Sequence, residues 1–278
     1  MKRFQNVYLE ITNVCNLHCR FCPGTRRTPM RISEEAFRLI LKKLCSYTNF
    51  LYFHVMGEPL CHPDLSQFLK LAQDYGFRVI LTTNGTLLSQ KRDILLNAPA
   101  LHKINISLHA FEANDLDMSF SDYLDGCFSF GKAARGGPLV VYRLWNRGGA
   151  DQMNGEILSA MARVFPKPWI TERRGTRISN RVYLEYGERF DWPDLSAEEN
   201  SGQLFCYGLR DQIGVLCDGT VVPCCLDHEG DIALGNLLSQ SMEEILASPR
   251  AESLYDGFSR REAQEALCRR CGYALRFH

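Results

Sequence analysis

The chain has 278 residues, enough for one large core or for a main unit plus a smaller one. Its 32 Lys and Arg balance 32 Asp and Glu, so no overall field favours nucleic acid or an anionic membrane surface. No apolar run reaches the ~18 residues needed to cross a bilayer, and the start, MKRFQNVYLEITNVC, lacks the apolar stretch of a secretory signal. A cytoplasmic protein with reduced thiols is expected, bound to neither nucleic acid nor membrane. RGTRISNR, Arg174 to Arg181, is a local basic patch set against that balance.

VYLEI (Val7 to Ile11) is a strand candidate leading straight into the first cysteines. SEEAFRLILKKLCSY reads as a helix: Ser33 suits the N-cap, Glu34 and Glu35 the positive end, and Phe37, Ile40, Leu41 and Leu44 form one stripe. FLYFHV is the next strand, followed by the helix DLSQFLKLAQDYG with Gly76 as its stop. RVILTTNG, then the helix SQKRDILLN with Ser89 as cap, then KINISLH and PLVVYRLW continue the alternation. Strand and helix in turn at this spacing predict parallel βα units, as an open doubly wound sheet or a whole or partial barrel. In either architecture the chemistry belongs in loops at the strand C-termini, where the first cysteines lie.

EILSAMARVF reads as a helix and RVYLEY as a strand, and RFDWPDLSAEENSG as a polar linker. Beyond it, DQIGVLCDGTVVPCC is a hairpin signal around Asp218 and Gly219. One helix is expected in GNLLSQSMEEILASP and another in SRREAQEALCRRCG. The division predicted is 1–200 and 201–278.

Twelve cysteines need a purpose: three fall in the first 22 residues and six in the last 73. Two metal-binding regions fit that clustering better than a disulfide framework. Cys15, Cys19 and Cys22 are spaced C-x3-C-x2-C. Either His18 completes a zinc set, although a residue between close cysteines tends to face away, or a [4Fe–4S] cube leaves one iron open.

CNLHCRFC resembles the signature of the radical SAM superfamily, including the aromatic Phe21 before the last cysteine. The resemblance implies a partial (βα)6 TIM-like barrel and a cluster whose open iron chelates S-adenosylmethionine (SAM). SAM is then cleaved reductively to a 5′-deoxyadenosyl radical that takes hydrogen from the substrate. MGEPL is similar to the family's GGE motif, with Met56 in place of its first glycine, and implies that Gly57 and Glu58 serve the SAM amino group. TTNGT with Asn84, SLHA with Ser107, and YRLWN with Arg143 and Asn146 resemble further SAM-contacting positions, Arg143 and Asn146 towards its carboxylate or ribose. Singly, each of these also reads as an ordinary turn or buried strand residue.

The run Cys206, Gly219, Cys224, then Cys268-x2-Cys271, resembles the SPASM domain and its shorter relative, the twitch domain. It implies a small α+β unit, a hairpin plus helices, holding one auxiliary [4Fe–4S] cluster for electron transfer on those four cysteines. Taken alone, this region serves zinc as well. Cys217 reads as a packed thiol, Cys225 as a substitute ligand or a neighbour on the opposite face, and Cys45, Cys61 and Cys127 as free thiols.

The function expected is hydrogen abstraction from a small polar organic substrate, with oxidation or C–C/C–N lyase chemistry. An aminocyclitol and a modified nucleobase such as queuine are the examples. Flavodoxin or ferredoxin is the expected electron donor. The alternatives are a maturase acting on a peptide or protein, and a non-catalytic zinc protein. Glu185, Glu188, Arg189, Asp191 and Asp227, with His228, are substrate or proton-transfer candidates, each also readable as a solvated loop charge.

Overall fold

The computed structural model describes residues 3–173, 175–201 and 203–277; Arg174, the start of the basic patch, lies outside them. Five βα units come first. They are β1 (Asn6–Leu9), α1 (Glu34–Leu44), β2 (Phe50–Tyr52), α2 (Leu65–Asp74), β3 (Arg78–Thr83), α3 (Leu88–Leu96), β4 (Leu101–Ser107), α4 (Phe120–Ala133), β5 (Leu139–Arg147) and α5 (Asn154–Val164). An antiparallel pair, β6 (Ile170–Glu172) and β7 (Gly175–Ser179), precedes β8 (Val182–Glu188). The remainder is β9 (Gln212–Val215), β10 (Thr220–Val222), β11 (Gly235–Asn236), α6 (Met242–Leu246), α7 (Pro249–Ser259) and α8 (Ala266–Arg269).

Among the described residues eleven strands form one sheet, in the order β11-β10-β9-β1-β2-β3-β4-β5-β8-β7-β6. From β1 through β5 to β8 the pairing is parallel, which gives the six-stranded partial barrel. β9 extends it by pairing parallel with β1, so the C-terminal hairpin is sheet-continuous with the barrel.

Register sorts the side chains into two faces. Tyr8 lies beside Tyr52, Thr82 beside Asn105, and Ser107 beside Arg143, which lies beside Glu185. These polar and aromatic residues face the barrel interior. The alternate positions Val7, Leu51, Leu81, Ile104, Val140 and Leu184 are buried in the main core. α1 packs on that core through Phe37, Ile40, Leu41 and Leu44, and the Ser33 hydroxyl accepts the Ala36 N–H as an N-cap.

Two expectations change, and one helix, α4, appears where none was expected. α3 begins at Leu88, so Ser89 lies inside its first turn; the turn at Gly85 already directs the chain, with Leu88 N–H on the Gly85 carbonyl. α4 has a weak sequence pattern because Gly126 and Gly131 interrupt it. Gly131 is needed where Tyr142 presses on the helix, its hydroxyl donating to the Cys127 carbonyl at 2.9 Å. The two C-terminal helices expected are instead three, preceded by a strand. Ser241 and Glu244 form a capping box for α6, and Ser248 with Pro249 at N1 restarts the chain as α7.

Candidate functional site

The first cysteines follow β1 on a loop that crosses the C-terminal ends of the parallel strands. Every sulfur receives N–H donors. Cys15 Sγ accepts from Leu17 N at 3.4 Å and lies 3.9 Å from Asn84 Nδ2; Cys22 Sγ accepts from Gly24 N at 3.5 Å. Cys19 Sγ accepts from Asn114 Nδ2 at 3.1 Å. Burial raises all three thiol pKa values, Cys15 to about 11, so free they remain protonated. Donors aimed at sulfur suit thiolates bound to a cationic cluster. His18 is exposed, and only its backbone N–H is engaged, by Asn114 Oδ1.

Gly57 has φ +75°, and a Cβ there would stand 2.4 Å from the Thr12 carbonyl oxygen, so the turn after β2 lies directly against the cluster loop. Glu58 is buried, with its oxygens taken by Leu60 N at 3.0 Å and Asn84 N at 2.7 Å, and burial raises it to about 7. It buckles the ends of β2 and β3 together. Asn84 also reaches Asn16 Oδ1 at 3.0 Å.

The second set converges from three segments. Cys206 precedes β9, Cys224 and Cys225 follow β10, and Cys268 and Cys271 lie in and after α8. Cys224 is within electrostatic reach of Cys206, Cys268 and Cys271, and burial raises the pKa of all four thiols. Four thiolates become tolerable in one place when a cationic centre takes them. Cys225 instead shares a hydrogen bond with the Tyr8 hydroxyl, and Cys217 is a buried thiol beside Glu10. Among the described residues no three His, Cys, Asp or Glu side chains are gathered closely enough to hold a single metal ion.

A cavity of about 300 Å³ runs from Phe21, on the loop of the first cysteines, to the second set. At one end lie Phe21, Ser107 and His109; at the other, Cys206, Cys224, Cys225, Cys268 and Cys271. Phe21 packs on His109 with ring centroids 4.9 Å apart. Arg143 lies between the ends, its Nε 3.3 Å from Glu185 Oε2 and its guanidinium 4.3 Å from the centre of the Trp145 ring.

The other candidates fall differently. Asn146 is committed to Ala150 O at 2.7 Å and Asn154 Oδ1 at 3.0 Å. Glu188, Arg189 and Asp191 are exposed, while their neighbours Phe190, Trp192 and Pro193 line the cavity. Asp227 lines it too, but its oxygens accept from Asp231 N and Ile232 N, both at 2.9 Å. His228 packs edge-on to Trp192. The residues missed in the sequence are Asn114, Tyr8, Tyr52, His54 and Trp145; the alternation of β1, β2 and β5 carried the signal for the last four.

An open parallel barrel with three cysteines after its first strand, and a separate four-cysteine set reached through one cavity from Phe21, is the arrangement expected of a two-cluster iron–sulfur protein. Residues 9–127 match the radical SAM superfamily model, and residues 206–272 match SPASM, an iron–sulfur cluster-binding domain. The chain belongs to the radical SAM superfamily and carries a C-terminal SPASM/twitch-type domain. Its cofactors are a SAM-binding [4Fe–4S] cluster, SAM and an auxiliary iron–sulfur cluster.

Among curated proteins the chain is similar to the S-adenosyl-L-methionine-dependent 2-deoxy-scyllo-inosamine dehydrogenase of Niallia circulans, 28% identical over 39% of this chain and 46% of the relative. It is also similar to the AdoMet-dependent heme synthase of Methanosarcina barkeri, 29% identical over 39% and 32%. The matched segment thus spans from a third to about half of these relatives. Among solved structures, BtrN in complex with AdoMet and 2-DOIA superposes with a TM-score of 0.62 at 18% identity, over 98% of this chain and 94% of that one, a likeness of fold. Among the described residues no helix is long and apolar enough to cross a membrane.

Proposed function

We propose that the protein is a radical SAM oxidoreductase acting on a small organic molecule held between its two clusters. The observation that carries this reading is the single cavity of about 300 Å³ reaching from Phe21 and Ser107 to Cys225 and Cys271. That size suits a small molecule rather than a folded peptide. The similarity to an aminocyclitol dehydrogenase supports oxidation as the reaction type.

When bound, SAM and its cluster supply a 5′-deoxyadenosyl radical, and the auxiliary cluster supplies an electron-transfer partner. The chain's own part is placement. Cys15, Cys19 and Cys22 hold the first cluster, Gly57 allows the close turn beside it, and Glu58 fixes that turn. Cys206, Cys224, Cys268 and Cys271 hold the second. Phe21 and His109 exclude water at one end of the cavity, and Tyr273 with Trp192 do so at the other. A flavodoxin or ferredoxin is the proposed donor.

The test is anaerobic reconstitution, iron and sulfide analysis, and a 5′-deoxyadenosine assay with dithionite. Iron in two clusters and SAM cleavage are expected; stoichiometric zinc without cleavage overturns the reading. Cys268→Ala should keep part of the SAM cleavage but lose product, whereas Cys19→Ala should abolish cleavage.

A further inference from the structure

Charge in the cavity is one-sided. Among the described lining residues Arg143 is the one Lys or Arg and Asp227 the one carboxylate. Asp227 is committed to two backbone N–H groups. Glu185 divides itself between Arg143 at 3.3 Å and Lys103 at 3.6 Å, and it meets Arg143 only at Nε. Among the described residues no acceptor takes the two terminal nitrogens of Arg143. The guanidinium plane is braced by Trp145, and its charge is felt at Tyr8, Tyr52 and Tyr273, the last from the loop after Cys271. Its charge is felt at His109 too, at the Phe21 end, so the cation stands mid-cavity between the two ends.

The walls are ring faces and edges. Tyr52 and Trp145 stand on the barrel side, and Trp192, Phe190 and Tyr273 on the other, with Phe190 packed 5.1 Å from Tyr273 and 5.6 Å from Trp192. His54 Nδ1 and Asn105 Oδ1 are buried among the lining residues with no partner among those described, so polar capacity is left unused in the floor. A polyhydroxylated ammonium compound finds here a cation only partly paired by Glu185, no free carboxylate and mostly apolar walls. A flat ring finds stacking surface, and a monoanion finds a planar bidentate donor. A phosphate ester, close to dianionic, asks for more than one cation.

Resting on the reading that the protein transforms a small molecule, we infer that its substrate is a planar aromatic or heteroaromatic carboxylate, the ring between the aromatic walls and the carboxylate on the terminal nitrogens of Arg143. This moves Arg143 from a SAM contact to the residue that sets substrate class.

The test is anaerobic calorimetry on the reconstituted protein with SAM, using 2-naphthoate, 2-naphthamide and 2-deoxy-scyllo-inosamine as probes. Naphthoate should bind at least about tenfold tighter than the amide and tighter than the aminocyclitol. Arg143→Gln should remove that tenfold preference while SAM affinity stays unchanged. Equal binding of acid and amide, no binding of naphthoate, or tighter binding of the aminocyclitol overturns the inference. So does loss of SAM affinity in the variant, which would assign the guanidinium to the methionine carboxylate. If Arg143→Gln does not fold, the three probes on the native protein decide alone. Absence of SAM cleavage by the native protein would remove the oxidoreductase reading while leaving the probe ranking readable.

Discussion

Glu10 and Arg27 form a fork-to-fork ion pair, with Nη1 2.8 Å from Oε2 and Nη2 2.6 Å from Oε1, on a carboxylate wholly out of water. The same carboxylate accepts Met56 N at 3.0 Å and Cys217 N at 3.1 Å. One side chain just past β1 thus joins the loop after the first cysteines, the turn carrying Gly57 and Glu58, and the hairpin leading to Cys224. Taking away the cation strands a buried charge, so Arg27→Ala should cost about 3–5 kcal/mol. Adding Glu10→Gln, which removes the charge but keeps an acceptor for the Met56 and Cys217 N–H groups, should give a double variant that costs less than that single change. Urea unfolding of the three proteins checks it, and a double variant weaker than Arg27→Ala refutes the account.

Asn114 is the side chain that ties the Cys19 sulfur, at 3.1 Å, to the segment after β4, and its oxygen holds the His18 N–H. A donor on a ligating sulfur stabilises the reduced, more negative cluster and fixes ligand orientation. Asn114→Leu should lower the reduction potential of the SAM-site cluster and weaken iron retention by about 10–100-fold. Potentiometry with electron paramagnetic resonance, and chelator challenge, read both. An unchanged potential would deny the bond a role.

Local signals were legible where one residue type does one job. Ser33 caps α1, its stripe of four apolar residues is the buried face, and Gly76 ends α2 with φ +77°. The parallel alternation and the spacing of Cys15, Cys19 and Cys22 carried the fold. The cavity was not legible, because its walls come from residues far apart in sequence that register alone brings together: Ser107 beside Arg143, and Tyr8 beside Tyr52. The charged run from Glu185 to Asp191 drew attention, yet in its second half the aromatics between the charges face the cavity. Helix α4 hid behind two glycines, one of them required by a tyrosine 11 positions away, at 142 against 131.

Gly57 and Gly76 have nearly the same backbone, φ +75° and +77°, but different surroundings. Alanine at 76 meets nothing within 4 Å and suffers only the left-handed strain, about 1–2 kcal/mol. Alanine at 57 adds a 2.4 Å approach to the Thr12 oxygen and 2.9 Å to Asn13 Cα. Gly57→Ala should therefore lose SAM affinity as well as stability, and Gly76→Ala stability alone. Equal SAM dissociation constants in the two variants would show that the turn does not shape the SAM site.

His54 is enclosed among Tyr8, Tyr52 and Arg143, and burial first, then the Arg143 charge, lowers its pKa to about 3. An unfolded histidine takes a proton near 6.5, so between that value and 3 the unfolded chain binds a proton that the folded chain refuses. The stability this group contributes is present above about pH 6.5 and is lost as pH falls, by up to about 1.4 kcal/mol per unit. Glu58, raised to about 7, and Asp227, raised to about 6, work in the opposite sense, favouring the folded state at lower pH. Total stability can therefore look flat across this range. The difference between native protein and His54→Gln isolates the imidazole, because the two carboxyl groups are common to both. Measured by urea unfolding of the cluster-free chain, that difference should shift against the native protein on going from about pH 7 to about pH 5. A pH-independent difference would mean that His54 is not held neutral by its surroundings.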